Sequence, residues 1–482
     1  MATPIPKNRC AFTLGEAAAA AGGRLGGDGS IATSSVSIDT RTLEPGALFV
    51  ALKGAGADGH AFLDDALRRG AAGAVVAAGR AHPALPCIEV ADTLDALGRL
   101  AHRHLDRTRQ ARRIPSIAIG GATGKTTTKE LCAAAARALF GPTLATPGNL
   151  NNLIGVPMTL FTLADEHRAI VIECGTNQRG EIARLAAIVE PDVAMVLNVD
   201  IEHSEFLGSL EEIADEETAL FAGARARAVA CIEEPLVTKR IPGGLRTVTF
   251  GTSPPAGVRL VDRTMVAPGR SRVSIKLDPA LVQAGESPLA VFEIGLLGAA
   301  AALNCAAAIA GVAAMNPAPL RAADLNAIGA ALGAVPAVAR RLCPRTIRGI
   351  FVIDDSYNSS PRAVRAALAA AREVADATHA RLVVVLGDML ELGALTAAAH
   401  ADAVREACAT APARFVAVGP QMSAALRAMR NPGGDGAVET SAARDSAEAA
   451  PLVRDLVRPG DVLLVKGSLG MQMDRVIDAL CA

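Results

Sequence analysis

Residues 116–132 read SIAIGGATGKTTTKELC: an apolar run, a glycine-rich turn, a Gly-Lys-Thr triplet and a helix-forming stretch. No other feature constrains the fold as strongly, because it demands a strand feeding a helix across a tight loop. Gly121 and Gly124 let the backbone bend so that its N–H groups, with those of Ala122 and Thr123, face phosphate oxygens. Lys125 is placed to reach the terminal phosphates and Thr126 to hold Mg²⁺, while a helix from Thr127 directs its positive end at the same anion. The common phosphate-loop pattern has four residues between its first glycine and the Gly-Lys pair. Here Gly120 leaves three and Gly121 two. The loop points to mononucleotide binding, and leaves kinase, ATPase and ligase open.

The runs on either side extend the pattern. "HRAIVIECG" and "PDVAMVLNVD" are apolar throughout, as strands of a parallel sheet covered on both faces are. Before them, "SIDTR", "GALFVAL", "AGAVVA" and "CIEV" alternate with helical stretches in a small α/β domain, 1–113. The basic segment 102–115 reads as a linker ending in proline. A central domain, 114–340, follows. From Arg341 a third unit, 341–482, carries "GIFVIDD", "RLVVVLGD", "RFVAVG" and "DVLLVKG", and open parallel sheets bind ligands at such strand ends. The fold class expected is α/β in three domains: a P-loop mononucleotide-binding parallel sheet between a small N-terminal α/β domain and a C-terminal Rossmann-like one. Residues 429–438 read as a flexible surface loop.

Charge and composition exclude other classes. A formal net charge of −1 supplies no basic field for nucleic acid or an anionic membrane. Nine cysteines without a CxxC pair predict reduced thiols in a cytoplasmic protein, not a zinc site. No apolar signal-peptide core opens the chain. The long apolar stretch 296–315 is mostly alanine with Asn304 inside, so a buried helix is expected and no membrane insertion.

One acidic segment is anomalous. In EHSEFLGSLEEIADEETALF, residues 202–221, Ser209 and Glu212 form a capping box that starts a helix at Leu210. Leu210, Ile213, Ala214, Leu220 and Phe221 make an apolar stripe, with Glu211, Glu212, Asp215 and Glu216 on a wet face. Glu217 falls within the stripe. A buried carboxylate needs a cation, a donor or a cleft, and an ion pair with a distant arginine is the plain alternative to a site role.

Several segments, in order, resemble the Mur ligases, ATP-dependent enzymes that assemble the peptide of peptidoglycan. They are "SIDTRTLEPGALFVALKGAGADGHAF", the shortened phosphate loop, "TPGNLNNLIGVPMTL", "VIECGTNQRGEIARLA", "IDDSYNSSPRAVRAAL", "VLGDMLELG" and "LLVKGSLGM". "DDSYN" and "GDMLELG" are similar to the member that adds a dipeptide. The resemblance implies an ADP-forming amide ligase that couples D-alanyl-D-alanine to a UDP-sugar tripeptide through an acyl phosphate. It implies ATP and Mg²⁺ as cofactors, small-molecule partners and a monomer. It also assigns residues: Lys125, Glu173, His203 and Glu217 to catalysis, and Thr126, Glu173, His203 and Glu217 to metal. Asn304, Arg341 (or Arg340), Asp355, Tyr357 and Asn358 join the phosphate loop around ATP. Ser37, Thr40 and Arg41 turn toward uridine, Asn149, Asn151 and Asn152 toward the glycopeptide, and Lys466 and Ser468 toward the dipeptide.

There are departures. Most members carry a carbamylated lysine where this chain has Glu217, and no lysine lies between Lys129 and Lys239. The expectation is that Glu217 supplies the carboxylate itself. Ala300 and Ala301 replace a His-Asn pair, Leu153 stands where a polar residue is frequent, and Leu469 stands where arginine is usual. A paralogue joining a different amine to a different carboxylate is the alternative that these changes keep open.

Overall fold

The computed structural model describes residues 3–54, 56–202, 204–429 and 438–481, and three sheets succeed one another along them. In the first, Ser35–Ser37, Ala47–Val50, Gly73–Ala77 and Cys87–Val90 run parallel, with Arg24–Gly26 antiparallel at the edge. Its last helix corrects the linker expected at 102–115. Thr93–Ala111 is one helix, because Leu97, Leu100, Ala101 and Leu105 repeat at helical spacing and are buried, with Arg99 and Arg103 exposed and His104 partly buried. His104 Nε2 donates to the Leu163 carbonyl at 3.1 Å and Arg112 to that of Ala164 at 2.8 Å, fastening this helix to the central domain.

In the central sheet, Ser116–Gly120 lies between Ala169–Glu173 and Val193–Val196, all parallel and buried along their length. The chain leaves Ser116–Gly120 through the helix Lys125–Phe140 to the edge strand Thr143–Ala145. It returns at Ala169–Glu173 and then crosses to the opposite side of the first strand at Val193–Val196. Strand order therefore reverses at Ser116–Gly120, the switch point where open α/β sheets bind ligands. The far edge departs from the all-parallel expectation: Val258–Ala267, Arg270–Leu277 and Leu289–Ile294 form an antiparallel meander. Arg270–Leu277 alternates exposed and buried residues, the pattern of a sheet wetted on one face.

Gly298–Met315 is the one helix among the described residues long and apolar enough to cross a membrane, and it is a core helix. A Cβ on Gly311 would lie 2.9 Å from Met195 Cε and 3.0 Å from Ile117 Cδ1, so glycine lets this helix seat directly on the sheet. In the third sheet, Ile350–Asp355, Val462–Lys466, Leu382–Gly387, Arg414–Val418 and Glu439–Ala443 are parallel, and Cys343–Ile347 is antiparallel at the edge. Of the surface loop expected at 429–438, residues 430–437 lie outside the described residues. The C-terminal unit is docked on the central one. Arg263 forks onto Glu373 at 2.7 and 2.9 Å, Ser360 Oγ donates to Asp200 at 3.0 Å, and Asn358 Nδ2 donates to Glu202 at 2.9 Å.

Candidate active site

The phosphate loop occupies the switch point. Gly121 (φ +114°) and Gly124 (φ +92°) take backbone conformations that side chains disfavour. A Cβ on Gly121 would also lie 2.9 Å from the Leu197 amide nitrogen. Asn198, at the end of the neighbouring strand, clamps the loop: Oδ1 accepts the Thr123 N–H and Nδ2 donates to the Thr123 carbonyl, both at 2.8 Å. Sequence reasoning missed Asn198; its signal was the pair of polar residues, Asn198 and Asp200, closing an apolar strand in "LNVD". Lys125 Nζ donates to the carbonyls of Gly121 at 2.5 Å and Ala122 at 3.0 Å. Burial alone would push the Lys125 ammonium down, but the charges of Glu202, Glu217 and Glu173 outweigh it and hold its pKa above the usual lysine range.

Glu217 reaches this loop from beneath. The helix begins at Leu210 with the Ser209–Glu212 capping box, as read from sequence, and ends at Thr218, so that Leu220 and Phe221 are buried from a following 3₁₀ turn. Glu217 is buried, and its Oε2 accepts the Gly121 N–H at 2.7 Å. Burial pushes its carboxyl up, while Lys125 and the Gly121 hydrogen bond pull the other way. Its side chain lines neither of the two cavities described below. Two neighbours correct the sequence reading. Leu210 is exposed, and Glu216, assigned to the wet face, is buried. Glu216 accepts N–H bonds from Gly180 at 2.6 Å and Ile182 at 2.8 Å, because the helix Glu181–Val189 has glycine at its N-cap and no side chain of its own to cap it.

Across the loop, Glu173 ends its strand with Oε1 accepting from Thr126 Oγ1 at 3.1 Å and from Asn151 Nδ2 at 2.8 Å. Its Oε2 is buried with no hydrogen-bond partner among the described residues. An unpartnered carboxylate oxygen beside a threonine hydroxyl is a donor set that fits a hard cation such as Mg²⁺. Among the described residues no three His, Cys, Asp or Glu gather as a metal cluster, and His203 lies outside them.

Two cavities meet here, and Ala122, Glu202, Arg341, Asn358 and Ser359 border both. The first runs from Thr123, Gly124 and Thr127 past Asn304 to Asp355 and Lys466. Lys466 is buried, with Nζ 2.8 Å from Asp355 Oδ2 and 2.8 Å from the Asn358 carbonyl, so it fixes the 355–358 loop and sits on the phosphate-loop side. The second holds Lys125, Thr126 and Glu173 at one end and Asn149, Asn151, Asn152, Tyr357 and Ser468 around it. Arg341 stacks over the Tyr357 ring at 4.1 Å, and Asn149 donates to the Tyr357 hydroxyl at 3.0 Å. Arg340 instead binds Ser356 and Asp474. Asn152 Oδ1 caps the turn at Ile154 and Gly155, and Ser468 Oγ accepts the Leu390 N–H at 2.9 Å. Ser37 lines a separate small cavity in the N-terminal domain with Asn8 and Asp39, whereas Thr40 is buried and Arg41 pairs with Asp39 at the surface. Asp200 and Glu202, which join the domains, were not singled out in the sequence.

A phosphate loop whose facing wall comes from a second α/β unit defines a nucleotide-dependent enzyme that brings two ligands into one cleft. Three family models match in succession: the Mur ligase family catalytic domain at 33–104, the Mur ligase middle domain at 119–312 and the Mur ligase glutamate ligase domain at 340–469. The chain belongs to the Mur ligase family. It is similar to the UDP-N-acetylmuramoyl-tripeptide–D-alanyl-D-alanine ligase of Escherichia coli, at 34% identity covering 93% of this chain and 94% of that one. The Bacillus subtilis ligase of the same name is 30% identical, with 92% of each chain covered. Among solved structures, MurF from Acinetobacter baumannii covers 99% of both chains with a TM-score of 0.85 at 27% identity. MurF ligase from Thermotoga maritima in complex with ADP shares the fold, with a TM-score of 0.76 at 23% identity, covering 92% of this chain and 96% of that one.

Proposed function

We propose that this chain is an ATP-dependent ligase that joins D-alanyl-D-alanine to UDP-N-acetylmuramoyl-tripeptide in peptidoglycan precursor synthesis. The observation that carries the reading is the shared border of the two cavities at Glu202, Arg341 and Asn358. A nucleotide lying along the first cavity presents its terminal phosphate where a ligand in the second begins. The relatives' names supply the substrates.

The chemistry follows from charge. A carboxylate is a poor electrophile, so a tripeptide carboxylate oxygen attacks the γ-phosphorus, the bond to the β–γ bridging oxygen breaks, and ADP leaves. The dipeptide amine then attacks the acyl carbon and loses a proton, and phosphate departs with the electrons of the C–O bond. Anions meet anions throughout, so fixed cations are required, and Lys125 and Arg341 provide them. Mg²⁺, when bound, neutralises phosphate charge. Thr126 and Glu173 would hold it, with Asn151 orienting Glu173. A second ion at His203 and Glu217 is part of the proposal, with Glu217 providing a carboxylate that needs no carbamylation. Asn304, Asp355 and Asn358 are assigned to the nucleoside, with Lys466 fixing their loop, while Tyr357 lines the second cavity and supports Arg341. Asn149, Asn151 and Asn152 are assigned to the glycopeptide, Ser468 to the dipeptide, and Ser37, Thr40 and Arg41 to the uridine end.

The test is phosphate release with ATP, Mg²⁺ and both substrates, against omission of each. Release that needs both substrates supports the ligase, and Lys125→Ala should lower it about a thousandfold. Release driven by another amine, with D-alanyl-D-alanine inert, would favour the paralogue.

A further inference from the structure

Two large apolar side chains are exposed at the inter-domain cleft. Leu469 is 52% and Leu390 43% exposed, and both line the cavity that holds Lys125 and Glu173. They come from separate loops after adjacent strands, Val462–Lys466 and Leu382–Gly387. The loops are tied together: Ser468 Oγ accepts the Leu390 N–H at 2.9 Å, and Ser468 N–H donates to the Asp388 carbonyl at 3.2 Å. A Cβ on Gly470 would lie 2.9 Å from Leu390 Cδ1, so this glycine lets Leu390 lie flat against the other loop. The result is a fixed apolar lip on a cavity that is otherwise mostly polar.

Exposed leucines held rigidly at a cleft gain when a ligand's apolar groups cover them. The cations lining this cavity, among the described residues, are Lys125 and Arg341. Lys125 stands at the phosphate loop, and Arg341 lies over Tyr357. The lip itself is formed by Leu390, Leu392 and Leu469, and the charge it carries is the carboxylate of Glu391 between the first two. In the ligase reading, on which this inference rests, the amine must reach the acyl phosphate near Lys125. An extended dipeptide is about 7 Å long, so its C-terminal side chain lies away from the phosphate loop.

We propose that Leu390 and Leu469 select the amine substrate by its side chains, favouring small apolar ones and rejecting anionic ones. The lip binds the dipeptide's methyl groups, and an anionic side chain there loses its water beside the Glu391 carboxylate without gaining a cation.

The experiment measures phosphate release with saturating ATP and UDP-N-acetylmuramoyl-tripeptide against D-alanyl-D-alanine, D-alanyl-D-serine and D-alanyl-D-aspartate, for the wild type, Leu469→Ala, Leu390→Ala and Leu469→Arg. The wild type should favour D-alanyl-D-alanine, and each alanine variant should raise its KM by roughly tenfold, with the effect on KM and not on kcat. Leu469→Arg should shift preference toward D-alanyl-D-aspartate. Release that depends on dipeptide, with KM values and preference order unmoved by all three variants, would overturn the inference alone. A rise confined to the KM of the UDP-sugar tripeptide would also overturn it, by assigning the lip to the other substrate. No release with any dipeptide in the wild type would overturn the ligase reading, and the inference with it.

Discussion

The carboxylate of Glu217 accepts the backbone N–H of Gly121 at 2.7 Å, which joins a helix of the acidic segment to the first turn of the phosphate loop. A permanent carboxylate here needs no CO₂ chemistry. Activity should therefore be equal in CO₂-depleted and bicarbonate-supplemented buffer. Glu217→Ala, which removes a charged hydrogen bond, should lower kcat/KM for ATP by roughly tenfold to a hundredfold. Bicarbonate stimulation of the wild type would remove Glu217 from this role.

Glu173 offers one buried oxygen without a partner. Glu173→Gln preserves shape but can place an N–H₂ where a cation would sit. The Mg²⁺ concentration for half-maximal activity should rise by about tenfold to a hundredfold. An unchanged Mg²⁺ titration would assign Glu173 to the loop's structure only.

Glu216 is a stability residue beside a site residue. It satisfies the Gly180 and Ile182 N–H groups at a helix start. Glu216→Ala should destabilise the central domain by about 2 kcal/mol, read as a shift in its urea unfolding midpoint, with Glu216→Gln intermediate. Equal midpoints for all three proteins would contradict the capping role.

His104 gives a pH dependence with a defined sign. Burial holds its imidazole below the ordinary value of 6.5; the Leu163 carbonyl opposes this and Arg107 adds to it. The unfolded chain therefore takes up the proton first as pH falls. The stability that this group contributes is complete above about 6.5, declines as pH drops toward the depressed native value, and levels off below it. Urea midpoints followed from pH 8 to pH 5 should fall less steeply in His104→Gln than in the wild type. Parallel curves would exclude His104 as the cause.

Where the chain's own periodicity sets the structure, the sequence could be read directly. The apolar strands around Ser116–Gly120, the loop glycines and the capping box at Ser209 all depend on neighbours within a few residues. Glu217 was visible because it broke its own helix's pattern. Glu216 was hidden for the complementary reason: its partners, Gly180 and Ile182, are more than thirty residues away, and nothing local marks an uncapped helix start. Asn198, Asp200 and Glu202 act across strands or domains, and so does Lys466 through its pair with Asp355. Helix 93–111 was misread at its end because a basic, polar run looks like a linker when the inward leucines are spaced widely.

Asn358 has two attachments. Its side chain holds Glu202 of the central domain, and its carbonyl receives Lys466, which secures Asp355 beside the cleft. One residue is thus both latch and brickwork. Separating the two domains would break the Glu202 bond and take away nine of the twenty residues that line the first cavity. The enclosure of that cavity is thus a property of the docked pair and of neither domain alone.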